Sequence, residues 1–241
     1  MNWLAQTVAV TGVTLRSLSQ RLGSSIVAVI GIAGVVIVFT AVLSIAEGVR
    51  AAMQGTGDPQ TVIVLRAASD TEMTSGFGGE EARLITEAPG IEQSADGVHA
   101  SPELFVIVGH PLKRSGTDAN VPLRGLTPVA LKVRPKVRIV EGRMFNPGTN
   151  EIVVGRAASQ QFQGLTVGSS VRWGASPWTV VGIFDAGGSV AESELWSDAR
   201  VLQSAYRRGN SYQSVYARLA SVDDFQAFKD ALTTNPRLQV T

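Results

Sequence analysis

The chain has 241 residues, with 21 Lys and Arg against 20 Asp and Glu. The net charge of +1 argues against nucleic acid as the main partner, since binding a polyanion calls for a concentrated basic face rather than balance. It has no cysteine, which removes disulfides, thiolate metal sites and cysteine nucleophiles together.

Residues 1–23 place Leu4, Val8, Leu15, Leu18 and Leu22 at alternating helical offsets, with Gln6, Thr14, Ser17 and Arg21 elsewhere. This reads as an amphipathic helix lying along the cytoplasmic membrane surface. Leu22 to Ala46 then runs without one charged side chain. Its centre, 24–46, would span roughly 34 Å as a helix against a hydrocarbon layer of about 30 Å, so a transmembrane helix is expected. Ser44-Ile45-Ala46 offers small residues suited to signal cleavage, yet the apolar stretch exceeds the ~7–15 residues of a signal core, which favours an uncleaved anchor. Arg16, Arg21 and the amino terminus precede the span with no acid, which puts the N-terminus in the cytoplasm. Ala28, Gly31 and Gly34 recur every third residue and suit close approach of another helix.

Thr61–Arg66 is β-branched and predicts a strand, and a glycine- and serine-containing loop follows to Gly79. A short helix starts at Glu80-Glu81 and stops at Pro89-Gly90. Val98–Val108 then reads as extended, with Leu104–Val108 as a buried strand. The same order returns near the C-terminus. Ser214–Leu219 alternates as a half-buried strand, Ser221 and Asp224 form a near capping box ahead of Val222, Phe225, Phe228 and Leu232, and Asn235-Pro236 ends that helix before a strand at Leu238–Val240. Two such units close into one split βαβ layer, with helices on one side of a sheet. Between them, 112–195 reads as strand and turn, an all-β lobe inserted into the α+β lobe. The expected fold is therefore α+β, with segments 1–23, 24–46, 47–111, 112–195 and 196–241.

The search for chemistry assigns no catalytic, cofactor-binding or metal-ligating residue. His99 and His110 lack partners at ligand spacing and read as ordinary strand-end histidines. Gly76-Phe77-Gly78-Gly79 lacks the lysine and the strand-to-helix frame of a phosphate loop, so ATP hydrolysis by this chain is not expected. Gly187-Gly188-Ser189-Val190-Ala191 falls short of a nucleophile elbow. In Lys132-Val-Arg-Pro-Lys-Val-Arg138 every second residue is basic, which makes a positive ribbon if the segment is extended. The preferred reading is a protected edge strand; the sharper one is contact with anionic headgroups or an acidic partner. Asp185, Glu192, Glu194 and Asp198 gather around Gly187-Gly188, where a solvated loop is preferred over a cation site, with Trp196 seating the loop on the core.

One ordered set of short motifs follows the span. Val140-Glu-Gly-Arg-Met-Phe145, Asn150-Glu-Ile-Val-Val-Gly155, Leu165-Thr-Val-Gly168 and Trp178-Thr-Val-Val-Gly-Ile-Phe184 resemble the run of an "EGR-F" turn, an "NE-V-G" strand, an "L-VG" turn and a "VVGI" strand in MacB-type (FtsX-like) ABC transporter permeases, with their MacB-like periplasmic core domain. The likeness covers practically the whole chain. It implies the N-terminal part of a non-enzymatic permease, anchored in the bacterial inner membrane with the bulk of the chain periplasmic or extracellular. It also implies a partner ABC ATPase subunit, a homodimer or paired permease, and in some cases a periplasmic adaptor. Family permeases carry three further spans beyond the periplasmic part, so a fragment is expected. A single-pass periplasmic binding or sensor module is the alternative. A membrane-fusion adaptor is disfavoured because no long heptad hairpin appears, and a periplasmic hydrolase because no catalytic constellation does.

Overall fold

The structure, a computed structural model, describes residues 3–20, 22–56, 58–95, 97–174 and 176–240. It divides into a helical unit, Met1–Gly55, and a sheet-bearing unit, Thr56–Thr241.

The helical unit holds α1 (Trp3–Gln20) and α2 (Leu22–Thr56). In α1, Trp3, Val8, Val10 and Val13 are exposed, while the side chains of Leu4, Leu15, Leu18 and Leu22 lie outside the described residues. Gly23–Gly48 of α2 is long and apolar enough to cross a bilayer, and none of it is buried in protein. Its hydroxyls need a partner in lipid, and Thr40 Oγ1 finds one by donating to the Val36 carbonyl at 2.7 Å. The helix does not stop at Ala46. With 35 residues it measures roughly 50 Å at ~1.5 Å per residue, well beyond a hydrocarbon layer of about 30 Å.

The second unit is organised by a ten-stranded mixed sheet. Its strands are β1 (Thr61–Arg66), β2 (Ala100–Pro111), β3 (Asp118–Leu126), β4 (Arg138–Gly142), β5 (Glu151–Gly155), β6 (Ser170–Trp173), β7 (Ser176–Asp185), β8 (Leu195–Asp198), β9 (Ser214–Arg218) and β10 (Leu238–Val240). The order is β10-β1-β9-β2-β3-β8-β5-β7-β4, with β6 also paired to β7. The β3–β8 and β5–β7 pairs are parallel; the rest are antiparallel. Five helices accompany it: α3 (Gly79–Thr86), α4 (Ala130–Val133), α5 (Arg156–Gln161), α6 (Ala199–Ala205) and α7 (Phe225–Thr233).

The β10-β1-β9 end carries the expected strand-helix-strand layer. Ala82 and Ile85 of α3 and Phe228 and Leu232 of α7 pack with Val62, Val64, Val215 and Ala217 of the strands. The Ser221–Asp224 capping box is present and starts α7 through a single 3-10 turn. At the other end the sheet is covered on both faces, so β5 is an unbroken apolar run. Ile152 and Val154 join one core with Trp178 and Leu202, while Val153 between them joins Trp196 and Phe184 on the opposite face. The expected pure strand and turn of 112–195 also contains α4 and α5.

Two features bind the sheet together. β2 is shared: Ala100–Glu103 pair with β9, and Leu104–Pro111 pair with β3, so one strand carries the sheet from one end to the other. A bulge then interrupts β7 between Val180 and Gly182. The extra residue reverses the alternation, so Trp178 and Val180 face one core and Phe184 faces the other. Phe184 there stacks on Trp196 at 3.9 Å between ring centroids. Only glycine fits at 182, where a Cβ would come within 2.3 Å of the Arg143 carbonyl oxygen.

Candidate functional site

The switch point of β2, Glu103-Leu104, is where buried charge gathers. Register places Ser214 opposite Glu103, Phe105 opposite Arg124, and Arg124 opposite Trp196. These residues therefore share one face across β9, β2, β3 and β8. Glu194 belongs to the same row, two positions ahead of Trp196. Two further groups arrive from outside the sheet: Glu72 from the loop after β1, and Arg134 from the turn after α4.

All five N–H groups of Arg124 are engaged. Nε and Nη2 donate to the Glu194 carboxylate at 2.8 and 2.7 Å, Nη1 and Nη2 donate to Glu72 at 2.6 and 2.9 Å, and Nη1 also donates to Glu103 at 3.1 Å. Arg134 holds Glu103 with a two-pronged contact at 2.6 and 2.7 Å. Ser214 Oγ donates to Glu72 at 2.6 Å, and Trp196 Nε1 donates to Glu194 at 2.8 Å. Aromatic rings close the remaining faces: Arg134 lies 4.1 Å from the centroid of Tyr216, and Arg124 lies 4.9 Å from that of Phe105. Glu103 is completely buried and Arg124 is 4% exposed.

Burial acts to raise the Glu72 carboxyl, but the Arg124 charge and hydrogen bonds, with the Ser214 hydroxyl, outweigh it and hold the group below its ordinary range. Burial acts to lower the Arg124 guanidinium, and Glu194, Tyr216 and Glu72 raise it well above normal. Burial pushes the Tyr216 phenol up to about 12. The cluster sets two guanidinium groups against the side chains of Glu72, Glu103 and Glu194. Every charge has partners of opposite sign, which is the condition under which buried ions are tolerated.

This arrangement fastens; it has no group poised to react. Among the described residues no three His, Asp or Glu side chains are placed to hold a metal. His99 and His110 stand at the two ends of β2. His99 Nε2 meets Ser94 Oγ at 3.0 Å, and His110 Nε2 donates to the Gln163 carbonyl at 2.7 Å. The glycines at 76–79 lead into α3, where Glu81 accepts the Gly78 N–H at 3.1 Å. Gly187 and Gly188 form a turn ahead of a single 3-10 turn at Val190–Ser193, and the Ala186 and Gly188 N–H groups donate to Glu192.

Two readings of charge are corrected. The 132–138 segment is not a ribbon: Lys132 lies in α4, Arg134 turns inward to Glu103, and the edge strand β4 begins only at Arg138. The acids near Gly187-Gly188 do not form one solvated loop. Asp185 pairs with Arg156 at 2.6 Å, Glu192 caps the turn, Glu194 is buried on Arg124, and Asp198 caps α6 by accepting from the Arg200 and Val201 N–H groups. Glu72, Glu103, Arg124 and Tyr216 went unremarked in the sequence. The available signal was ionisable residues at buried-face positions of apolar strands, as in Pro102-Glu103-Leu104 and Leu123-Arg124-Gly125.

Comparison with known proteins fits this architecture. The family profile described as MacB-like periplasmic core domain matches residues 25–235. The chain belongs to this MacB-like family. Among solved structures, the extracellular domain of the noncanonic ABC-type transporter YknZ from Gram-positive bacteria is similar at 20% identity with a TM-score of 0.54, covering 75% of this chain and 99% of that one. The periplasmic region of MacB from Actinobacillus actinomycetemcomitans is similar at 12% identity with a TM-score of 0.56, covering 78% and 91%. At such identities the likeness shows the fold. A search of curated proteins gives no significant match. The MacB-like chain thus joins a helix long and apolar enough to cross a membrane to a domain of the MacB-like periplasmic core type.

Proposed function

We propose that this chain is the N-terminal part of an ABC transporter permease that passes ATP-driven movement from the cytoplasm to its extracellular sheet domain, in support of export or lipoprotein release. α1 rests on the inner membrane surface, the 24–46 segment of α2 crosses, and the remainder stands outside. A separate ATPase subunit supplies the hydrolysis, the permease works as a dimer or pair, and a periplasmic adaptor can join it.

The observation that carries this reading is the family match from residue 25 to residue 235, which takes in both the membrane helix and the sheet domain. The unbroken course of α2 supports it, because a helix longer than the bilayer is a stiff lever. The absence of charge between Leu22 and Ala46 supports it too, since such a helix offers no polar route for a solute and movement is what it can transmit. The test uses the assembled transporter with its ATPase. A spin label at Val190→Cys should give inter-copy distances that differ between the nucleotide-free and vanadate-trapped states. Identical distance distributions in the two states would remove mechanical coupling.

A further inference from the structure

Of three neighbouring hollows on the sheet-bearing unit, the two that share Gly148 and Arg200 as walls form one groove along α6. The first, about 200 Å³, lies between α3 and Tyr212. Tyr212 is also a wall of the second, about 440 Å³, and Gly148 and Arg200 are walls of both the second and a third of about 520 Å³ that ends at Arg207.

The groove is built on firm ground. α6 sits close on β3 because residue 125 is glycine, where a Cβ would meet the Ala199 Cα at 2.8 Å. Asp198 fixes the start of α6, and Gln203 Nε2 donates to the Ser211 carbonyl at 2.8 Å beyond its end. Gly79 likewise leaves room for Asn210, whose Nδ2 a Cβ would approach to 2.1 Å.

Its charge is one-sided. Elsewhere on this unit Arg143, Arg156, Arg218 and Arg237 each meet a carboxylate, while among the described residues Arg114 and Arg138 do not. Arg200 and Arg207 meet none among the described residues, and Arg83, a wall of the first hollow, has only the exposed Glu87 at 3.6 Å. The one acid in the lining, Asp198, is buried, with Oδ1 taken by two backbone N–H groups. Arg207 also holds φ at +52°, a conformation that favours glycine, so the turn keeps an arginine where another residue would relax it. Between Arg200 and Arg207 the lining is mixed, with Asn150, Ser176 and Ser204 beside Val201 and Ala205, while Leu126, Pro128 and Pro147 line the hollow on the other side of Arg200. Arg200 lies in the first turn of α6 and Arg207 in the turn beyond its end.

We infer that this groove receives an extended acidic segment of a partner protein, whose carboxylates meet Arg200 and Arg207. A compact anion would use one hollow and leave the other empty. The inference does not depend on ATP coupling.

The test is fluorescence anisotropy on the full chain in neutral-lipid nanodiscs at low salt. The probe is a labelled peptide of repeated Glu-Ala-Val, compared with its Gln-Ala-Val counterpart. The acidic peptide should bind, and the glutamine peptide about tenfold more weakly. Arg200→Gln with Arg207→Gln should weaken the acidic peptide about tenfold, while Arg114→Gln with Arg138→Gln, the same loss of charge away from the groove, leaves it within about twofold. Arg207→Gly relieves the turn, so it should fold at least as stably as the parent and still bind more weakly. No binding of the acidic peptide, or equal losses in the two double variants, would overturn the proposal. So would an Arg200/Arg207 effect confined to phosphatidylglycerol vesicles, which would assign the groove to lipid headgroups.

Discussion

α2 and the switch point of the sheet put apolar and charged groups in opposite places. Along α2, Val27, Ile30, Val35, Ile37 and Phe39 all face outward and nothing covers them; at the switch point Glu72, Glu103, Glu194, Arg124 and Arg134 are packed among Trp196, Phe105 and Tyr216. Each arrangement would be ruinous in the other's surroundings. An apolar helix is stable uncovered when lipid is its solvent, and buried charges are stable when each meets a fixed partner. The helix needs no specific neighbour to persist, whereas the cluster fails if one member is removed. That suits the proposed coupling, in which the helix would tilt in lipid and the sheet-bearing unit would move as a solid piece.

The sharpest way to break this contrast is to take charge out of the sheet. Arg124→Leu takes the guanidinium away from Glu72 and Glu194, leaving Glu103 on Arg134, and should cost about 3–5 kcal/mol in urea unfolding of the sheet-bearing unit. Ile30→Ala in α2 should leave the same transition unmoved. Putting charge into the helix reverses the experiment. Val35→Arg should cost about 2.5–3.5 kcal/mol in membrane insertion, read as the inserted fraction in a glycosylation-tag assay. A packing change of intermediate size tests how solid the sheet is. Gly155→Ala places a Cβ within 2.1 Å of the Glu192 carbonyl oxygen and should cost about 1–3 kcal/mol.

The smallest effect is a pH dependence. The Tyr216 phenol sits at about 12 when folded, against about 10 in the unfolded chain. Between those values the unfolded state binds fewer protons, so stability falls as pH rises above about 10. Between about pH 9 and 10.5 the loss should stay under about 1 kcal/mol, and Tyr216→Phe should flatten that part of the curve.

Local chemistry made α2, α3, α7 and most strands readable, but not α4, α5 or α6. Ser221 and Asp224 announce the start of α7, Asn235-Pro236 its end, and the uncharged run after Leu22 a membrane helix. The charge cluster was hidden because its members lie far apart in sequence. Arg124 meets Glu72 and Glu194 across 52 and 70 residues, and only register shows that they share a face. The alternating basic residues at 132–138 misled for the same reason. Glu103, 31 positions upstream, draws Arg134 inward and breaks the pattern. The bulge in β7 was equally invisible, since a single inserted residue leaves Trp178–Phe184 looking like an uninterrupted strand.

The most direct test of the account is sidedness, and a chain without cysteine makes it simple. Val190→Cys, at a position 78% exposed on the sheet-bearing unit, and Gln6→Cys in α1 are each expressed in spheroplasts and treated with a membrane-impermeant maleimide. The account predicts that the Val190→Cys variant is labelled in intact spheroplasts and the Gln6→Cys variant only after lysis. Labelling of the Gln6→Cys variant from outside, with the Val190→Cys variant protected until lysis, would contradict it.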